Sequence, residues 1–283
     1  MLDGTSRSEP PVSGSDAISL QRARGLARLH AKVSGGRTRI ADLYQDGCAK
    51  VRLPRMHGGP SLEAVLLNTA GGLTGGDVFE TDITADADTA VTVTTQACER
   101  VYRAADGAAR VHNRLSVGSG ARVHWLPQET ILFDGGRIGR HLDIDMAADA
   151  VVLAVEPLVL GRVSSGEELG AGLFTDCWRI RRAGRLVFAD DTRLYGDIAG
   201  IAARPGALSG ARAAAMVVMA APDAEDRLPD ARAILDRPGA GASAFDGILV
   251  CRLIAADSYE LRRTLAPLLT LLAGGPLPKV WLL

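Results

Sequence analysis

Asp88-Thr89-Ala90-Val91-Thr92-Val93-Thr94-Thr95-Gln96 is echoed by Gly120-Ala121-Arg122-Val123-His124-Trp125-Leu126-Pro127-Gln128. Asp149-Ala150-Val151-Val152-Leu153-Ala154-Val155-Glu156-Pro157 echoes both. Each segment opens on a turn residue with an alanine close behind. It then runs through β-branched or aromatic positions and ends on a glutamine or proline corner. The recurrence is about 30 residues, in the range of repeating supersecondary units. Strands stacked along an axis, or a large two-sheet sandwich, would each produce it.

Working outward, period-two alternation in Thr92-Val93-Thr94 and in Leu142-Asp143-Ile144-Asp145-Met146 predicts strands with one wet face. Ala64-Val65-Leu66-Leu67 reads as a buried strand and Val78 to Ile83 as an alternating one. Ala23 to Val33 fits either strand or helix; Gly35-Gly36 interrupts it before Arg37 to Tyr44 resumes. Cys177 to Phe188 reads as a hairpin turning at Ala183-Gly184, and Ala213–Ala220 and Ile248–Ile254 are further strands. Asp230 to Asp236 predicts a short helix closed by Pro238-Gly239. Ser258 to Leu272 predicts a longer one, with Ser258 as N-cap, Leu261, Leu265, Leu268, Leu269 and Leu272 on one stripe, and Gly274 as its stop. Pro54 and Gly58-Gly59-Pro60 mark a surface loop, and residues 1–17 read as a disordered leader ahead of one β domain over 18–283.

Composition narrows the function classes. The 283 residues are 47% hydrophobic, and 32 basic against 33 acidic groups leave a formal charge of −1. Such a balance argues against nucleic acid or an anionic membrane as the main partner. Four scattered cysteines, Cys48, Cys98, Cys177 and Cys251, form no C-x-x-C pair and read as core residues in a reducing compartment. With no signal peptide and no apolar run long enough to span a bilayer, a soluble cytoplasmic protein is expected.

Asn68-Thr69-Ala70-Gly71-Gly72-Leu73-Thr74-Gly75-Gly76-Asp77 follows the apolar strand and ends on a carboxylate. It lacks the Gly-Lys-Ser/Thr ending of a phosphate loop and does not run into a helix, so a glycine-rich strand connection outweighs a ligand loop. No G-x-S-x-G occurs, and His30, His57, His112, His124 and His141 show no zinc-protease spacing. An enzyme using the glycine loop and Asp77 would therefore lack a nucleophile–base pair and a cofactor fingerprint. Carboxylates at Glu129, Asp134, Glu156, Glu167 and Glu168 fall near strand ends. Converging, they would offer oxygen ligands to a divalent ion; paired with arginines such as Arg103 and Arg162, they would fix strand corners.

Four ordered motifs carry a resemblance. They are Asn68 to Asp77; Thr94-Thr-Gln-Ala-Cys-Glu-Arg-Val-Tyr-Arg103; Trp125-Leu-Pro-Gln-Glu-Thr-Ile-Leu-Phe-Asp134; and Glu156 with Gly161-Arg162 and Gly166-Glu167. In this order and spacing the chain, over roughly residues 20 to 283, closely resembles the UreD (UreH) family of urease accessory proteins. The closing Pro278-Lys279-Val280-Trp281 is similar to that family's tail, with lysine where arginine is commoner. On this basis Gly71, Gly72, Gly75, Gly76, Gln96, Tyr102, Arg103, Pro127, Gln128 and Arg162 are expected as structural motif positions.

The resemblance implies a mainly β protein, a superhelical stack of two-layer sheet with about two α-helices, and no enzymatic activity. It also implies partners: UreF, the GTPase UreG through UreF, and apo-urease, to which the complex delivers nickel. No tightly bound cofactor is expected. Scattered oxygen donors would hold nickel weakly and let it move on, where thiolate or imidazole cages would trap it. The expectation is a polar passage through the β core, lined partly by Asp77, Glu129, Asp134, Glu156 and Glu167. The alternative is a passive β scaffold that tethers UreF and UreG to urease without contacting nickel.

Overall fold

The computed structural model describes residues 21–54, 61–162, 166–167 and 169–282. The expected leader over 1–17 and the loop at Gly58-Gly59-Pro60 lie outside the described residues. Strand accounts for 54% of the chain and helix for 15%.

Two sheets face each other. The seven-stranded one runs β14 (Arg185–Asp197), β13 (Ala171–Arg182), β11 (Arg137–Met146), β8 (Ala109–Val117), β5 (Val78–Ala85), β1 (Arg24–Ser34) and β2 (Arg37–Gly47). The ten-stranded one runs β16 (Ala240–Phe245), β17 (Ile248–Ala255), β15 (Ala213–Ala220), β12 (Val151–Leu160), β9 (Arg122–Leu126), β6 (Ala90–Thr95), β4 (Leu62–Asn68) and β3 (Ala49–Arg52). Two short strands, β7 (Glu99–Val101) and β10 (Thr130–Leu132), pair with each other, and β10 also pairs with β12.

The centre of the molecule is a coil. The chain passes from β4 to β5, from β6 to β8, from β9 to β11 and from β12 to β13, crossing between the sheets each time. Strands from successive turns pair in parallel, Ala90 opposite Arg122 and Arg122 opposite Val151. These three residues hold the same third place in the three echoing segments, so the repeat seen in the sequence is the register of the sheet. Antiparallel strands close both ends: β2 and β3 at one, β14, β15, β17 and β16 at the other. The β13–β14 hairpin turns at Ala183 (φ 49°) and Gly184 (φ 78°), as the sequence predicts.

Inward residues alternate with outward ones. Phe79, Ile83, Leu115, Leu142, Ile144, Trp178 and Ile180 from one sheet meet Val93, Val123, Trp125 and Ala154 from the other in a continuous core. Burying such side chains contributes about 1.5–3 kcal/mol each. The outer face of the seven-stranded sheet is wet, as the alternation in Leu142–Met146 predicts. For Thr92–Thr94 that expectation is corrected, because Thr94 is buried. It lies opposite Leu126, and this outer face of the ten-stranded sheet is roofed by helix.

The roof is α2 (Leu228–Ile234) and α3 (Ser258–Ala273), the two helices expected; a third, α1 (Ile198–Ala203), is only six residues long. All five leucines of the α3 stripe are buried against β12, β15 and β17. Gly274 ends the helix in the left-handed region at φ 68°. The N-cap is Asp257 and not Ser258: its carboxylate accepts from the Glu260 amide, leaving Ser258 as the first helical residue.

Candidate functional site

The four motifs are four successive floors of one corner, where the chain turns from the ten-stranded sheet into the seven-stranded one. Side chains tie each floor to the next. Asn68 Nδ2 donates to both Glu99 oxygens at 3.2 and 3.1 Å, and the Cys98 thiol donates to Glu129 at 3.3 Å. Arg103 pairs with Asp134, and the Asp134 amide donates to Glu167 at 3.3 Å.

The first floor is the glycine loop. A Cβ at Gly72 would collide with the Tyr102 ring and the Arg100 carbonyl; one at Gly75 would collide with the Asp106 carbonyl. Glycine is required here by close approach of backbone and not by a phosphate. Gly71 and Gly76 also take positive φ, and the Tyr102 hydroxyl reaches the Gly71 carbonyl at 3.5 Å. Tyr102 packs edge-on to Phe133, over whose ring Arg162 lies at 4.5 Å. Gln128 Nε2 donates to the carbonyls of Thr95, Gln96 and Val280, at 3.3, 3.2 and 3.0 Å, pinning the tail to the corner.

Between the sheets the core is not wholly apolar. Arg140, 4% exposed, forms ion pairs with Glu156 at 2.7 Å and Asp176 at 2.8 Å, each 7% exposed. Its guanidinium also donates to Thr130 and lies 4.9 Å from the Phe174 ring centre. Trp125 donates to Glu156 at 2.9 Å and Trp178 to Asp176 at 3.2 Å. Burial raises the Glu156 carboxyl, with Arg140 opposing and Asp176 adding to the rise. Two carboxylates on one guanidinium leave this buried cluster with an excess of negative charge.

Three cavities border on these groups. The first, about 190 Å³, is walled by Asn68, Gly71, Cys98 and Glu99 at the corner. It shares Leu66, Phe79, Thr95 and Glu99 with a second of about 60 Å³, which Thr81, Asn113, Pro127, Gln128 and Thr130 also line. The second shares Arg140 and Glu156 with a third of about 400 Å³, bounded further by Asp176, Asp190, Ala207 and Arg252. Together they form a series running from the motif corner, through the gap between the sheets, to the antiparallel end.

The five carboxylates singled out in the sequence are distributed differently. Glu156 is the one of them in the walls of these three cavities. Asp77 is buried and accepts from the Ala23 and Thr74 amides, both at 2.8 Å, closing the glycine loop onto β1. Glu129 is buried and held by Arg262 of α3 at 2.6 and 2.7 Å. Burial alone would raise its carboxyl, but the Arg262 bonds outweigh that and hold it below the usual carboxylate range. Asp134 binds Arg103 and the Gly170 amide; Glu167 binds the Asp134 and Arg162 amides, with the Arg162 guanidinium 3.5 Å away. Only Asp134 and Glu167 meet each other. Among the described residues, no group of three or more His, Cys, Asp or Glu side chains is arranged to hold a metal ion.

Sequence reasoning missed Arg140, Asp176 and Glu99. For two of them a signal was present: Arg140 sits in phase with Ile138, Leu142 and Ile144, and Asp176 with Phe174 and Trp178, so each is a charge on an apolar stripe. Glu99 lies on a three-residue strand, too short for periodicity to register. Burial pushes its carboxyl up to about 7, against the Asn68 hydrogen bond. Burial, then neighbouring Glu129, pushes the Cys98 thiol up to about 11, and burial with Arg122 lowers His124 to about 4.

Known proteins match the chain over most of its length. The family described as UreD urease accessory protein matches residues 23–282. A urease accessory protein UreD of Rhizobium leguminosarum bv. viciae is 50% identical over 262 residues, 92% of this chain and 96% of the relative. That of Agrobacterium fabrum is 48% identical over 265 residues, 93% of each. A third, from Xanthobacter autotrophicus, is 46% identical over 276 residues, 96% of this chain and 95% of the relative. The chain therefore belongs to the UreD family of urease accessory proteins, maturation factors rather than enzymes.

Proposed function

We propose that this chain assists urease maturation by passing nickel through the gap between its two sheets, as part of a cytoplasmic complex with UreF, UreG through UreF, and apo-urease. The observation that carries this reading is the series of three cavities with buried carboxylates in its walls. Nickel binds imidazole and thiolate tightly, whereas carboxylate, amide and hydroxyl oxygens with water exchange it readily. The walls offer such donors: Glu99, Asn68, Thr81, Asn113, Thr130 and Glu156. Glu156 is shared with Arg140, so a passing cation would compete with a guanidinium and not with a proton alone.

A passive scaffold is the second reading, favoured by the commitment of Asp77, Glu129, Asp134 and Glu167 to amides and arginines. Both are tested by co-expressing the urease subunits and the other accessory proteins with and without this chain, and measuring urease-bound nickel. The passage reading expects nickel to fall without the chain, and to fall again with Ala207→Trp, which narrows the wide mouth at an exposed position. Full nickel loading with Ala207→Trp in a complex that still assembles favours the scaffold.

A further inference from the structure

We propose that Glu99 is a ligand for a divalent cation at the neck between the outer corner cavity and the gap between the sheets, an inference that rests on the nickel-passage reading above. Its position is the first argument. Glu99 lines both the 190 Å³ and the 60 Å³ cavities, and of the four residues they share it is the one with a charged side chain.

The second argument is its missing counter-ion. Glu129 has Arg262, Glu156 has Arg140, Asp134 has Arg103, and Asp77 is capped by two amides. Among the described residues, no Arg, Lys or His nitrogen lies within ion-pair distance of Glu99. Its neighbours are the Asn68 side-chain amide and the Arg100 backbone amide at 3.2 Å. Arg100 lines the same cavity and its charge acts on Glu99 without forming an ion pair, so the carboxylate keeps an oxygen face toward the cavity that a metal ion can occupy.

The surroundings suit a labile ion. Asn68 holds the carboxylate in place, and the cavity has room for water to complete a coordination shell. Cys98, next in sequence, is unsuited as a ligand: its thiol donates to Glu129 and stays protonated well above neutral pH. The other charged or titratable groups that bear on Glu99 are Asp77, Arg100 and the Cys48 thiol.

Calorimetric titration of the full chain with Ni²⁺ alone, near pH 7, tests this. Glu99→Gln, nearly isosteric, should weaken binding at least tenfold, while Glu99→Asp retains part of it. Unchanged affinity in Glu99→Gln overturns the assignment. Loading of co-expressed urease separates the two levels. If Ala207→Trp lowers urease nickel while Glu99→Gln alters neither nickel binding nor loading, the passage stands and Glu99 falls. If neither variant changes loading, the passage falls, and the nickel titration alone decides Glu99 as a ligand.

Discussion

Arg140 stands where an aliphatic side chain would be expected, and its consequences follow from charge and burial. Its guanidinium reaches across from the seven-stranded to the ten-stranded sheet to meet Glu156, and along its own sheet to Asp176. Buried pairs of this kind add little net stability over apolar packing, but breaking one strands the other charge. Arg140→Met leaves two carboxylates facing each other in the core and should destabilise the fold by about 3–5 kcal/mol, read by urea unfolding near neutral pH. The pH dependence has a definite sign. Burial already raises Glu156, so its carboxylate takes up a proton more readily in the native state than in the unfolded chain. Without Arg140 that rise grows; the deficit of the variant is therefore largest at neutral pH and shrinks as acid protonates the pair. A deficit that grows toward low pH would contradict this account of the cluster.

At the scale of elements, legibility followed local pattern. The three echoing segments could be aligned by eye because parallel strands of a regular coil meet residues about one turn apart, and Ala90, Arg122 and Val151 do meet. The β13–β14 hairpin and α3 were equally readable, through a positive-φ turn and a leucine stripe. What could not be read was convergence. Arg140 and Asp176 are 36 residues apart, and the loop between β12 and β13 makes that turn longer than its neighbours. Arg262 reaches Glu129 across 133 residues from a helix whose docking no local signal fixes. The cap of α3 was missed by one position because Asp257 and Ser258 are both good N-caps. Since Asp257 accepts from the Glu260 amide, Asp257→Ala should cost about 1 kcal/mol in thermal or urea unfolding, and Ser258→Ala much less. The reverse order would return the cap to Ser258.

At the scale of the whole molecule, the coil is closed by its own C-terminus. A stack in which each turn touches only its neighbours can fray from its ends, so contacts that bridge distant turns decide whether it unfolds as one unit. The tail supplies such a bridge. Trp281 is buried in the roof, its indole donates to the Leu126 carbonyl at 3.0 Å across 155 residues, and Arg262 lies 5.2 Å from its ring centre. Gln128 holds the adjoining Val280 carbonyl, and Arg262 holds both Gln128 and Glu129. The same few side chains thus bind the tail, α3, the third motif floor and the wall of the middle cavity. Trp281→Ala should cost about 3–5 kcal/mol, the usual range for a buried tryptophan. Its effect should also spread: hydrogen exchange is expected to rise in β9 and in the segment from Thr95 to Gln128, far from the substitution in sequence. A loss of protection confined to α3 and the tail would mean that the tail merely covers the roof, with the motif corner holding itself together.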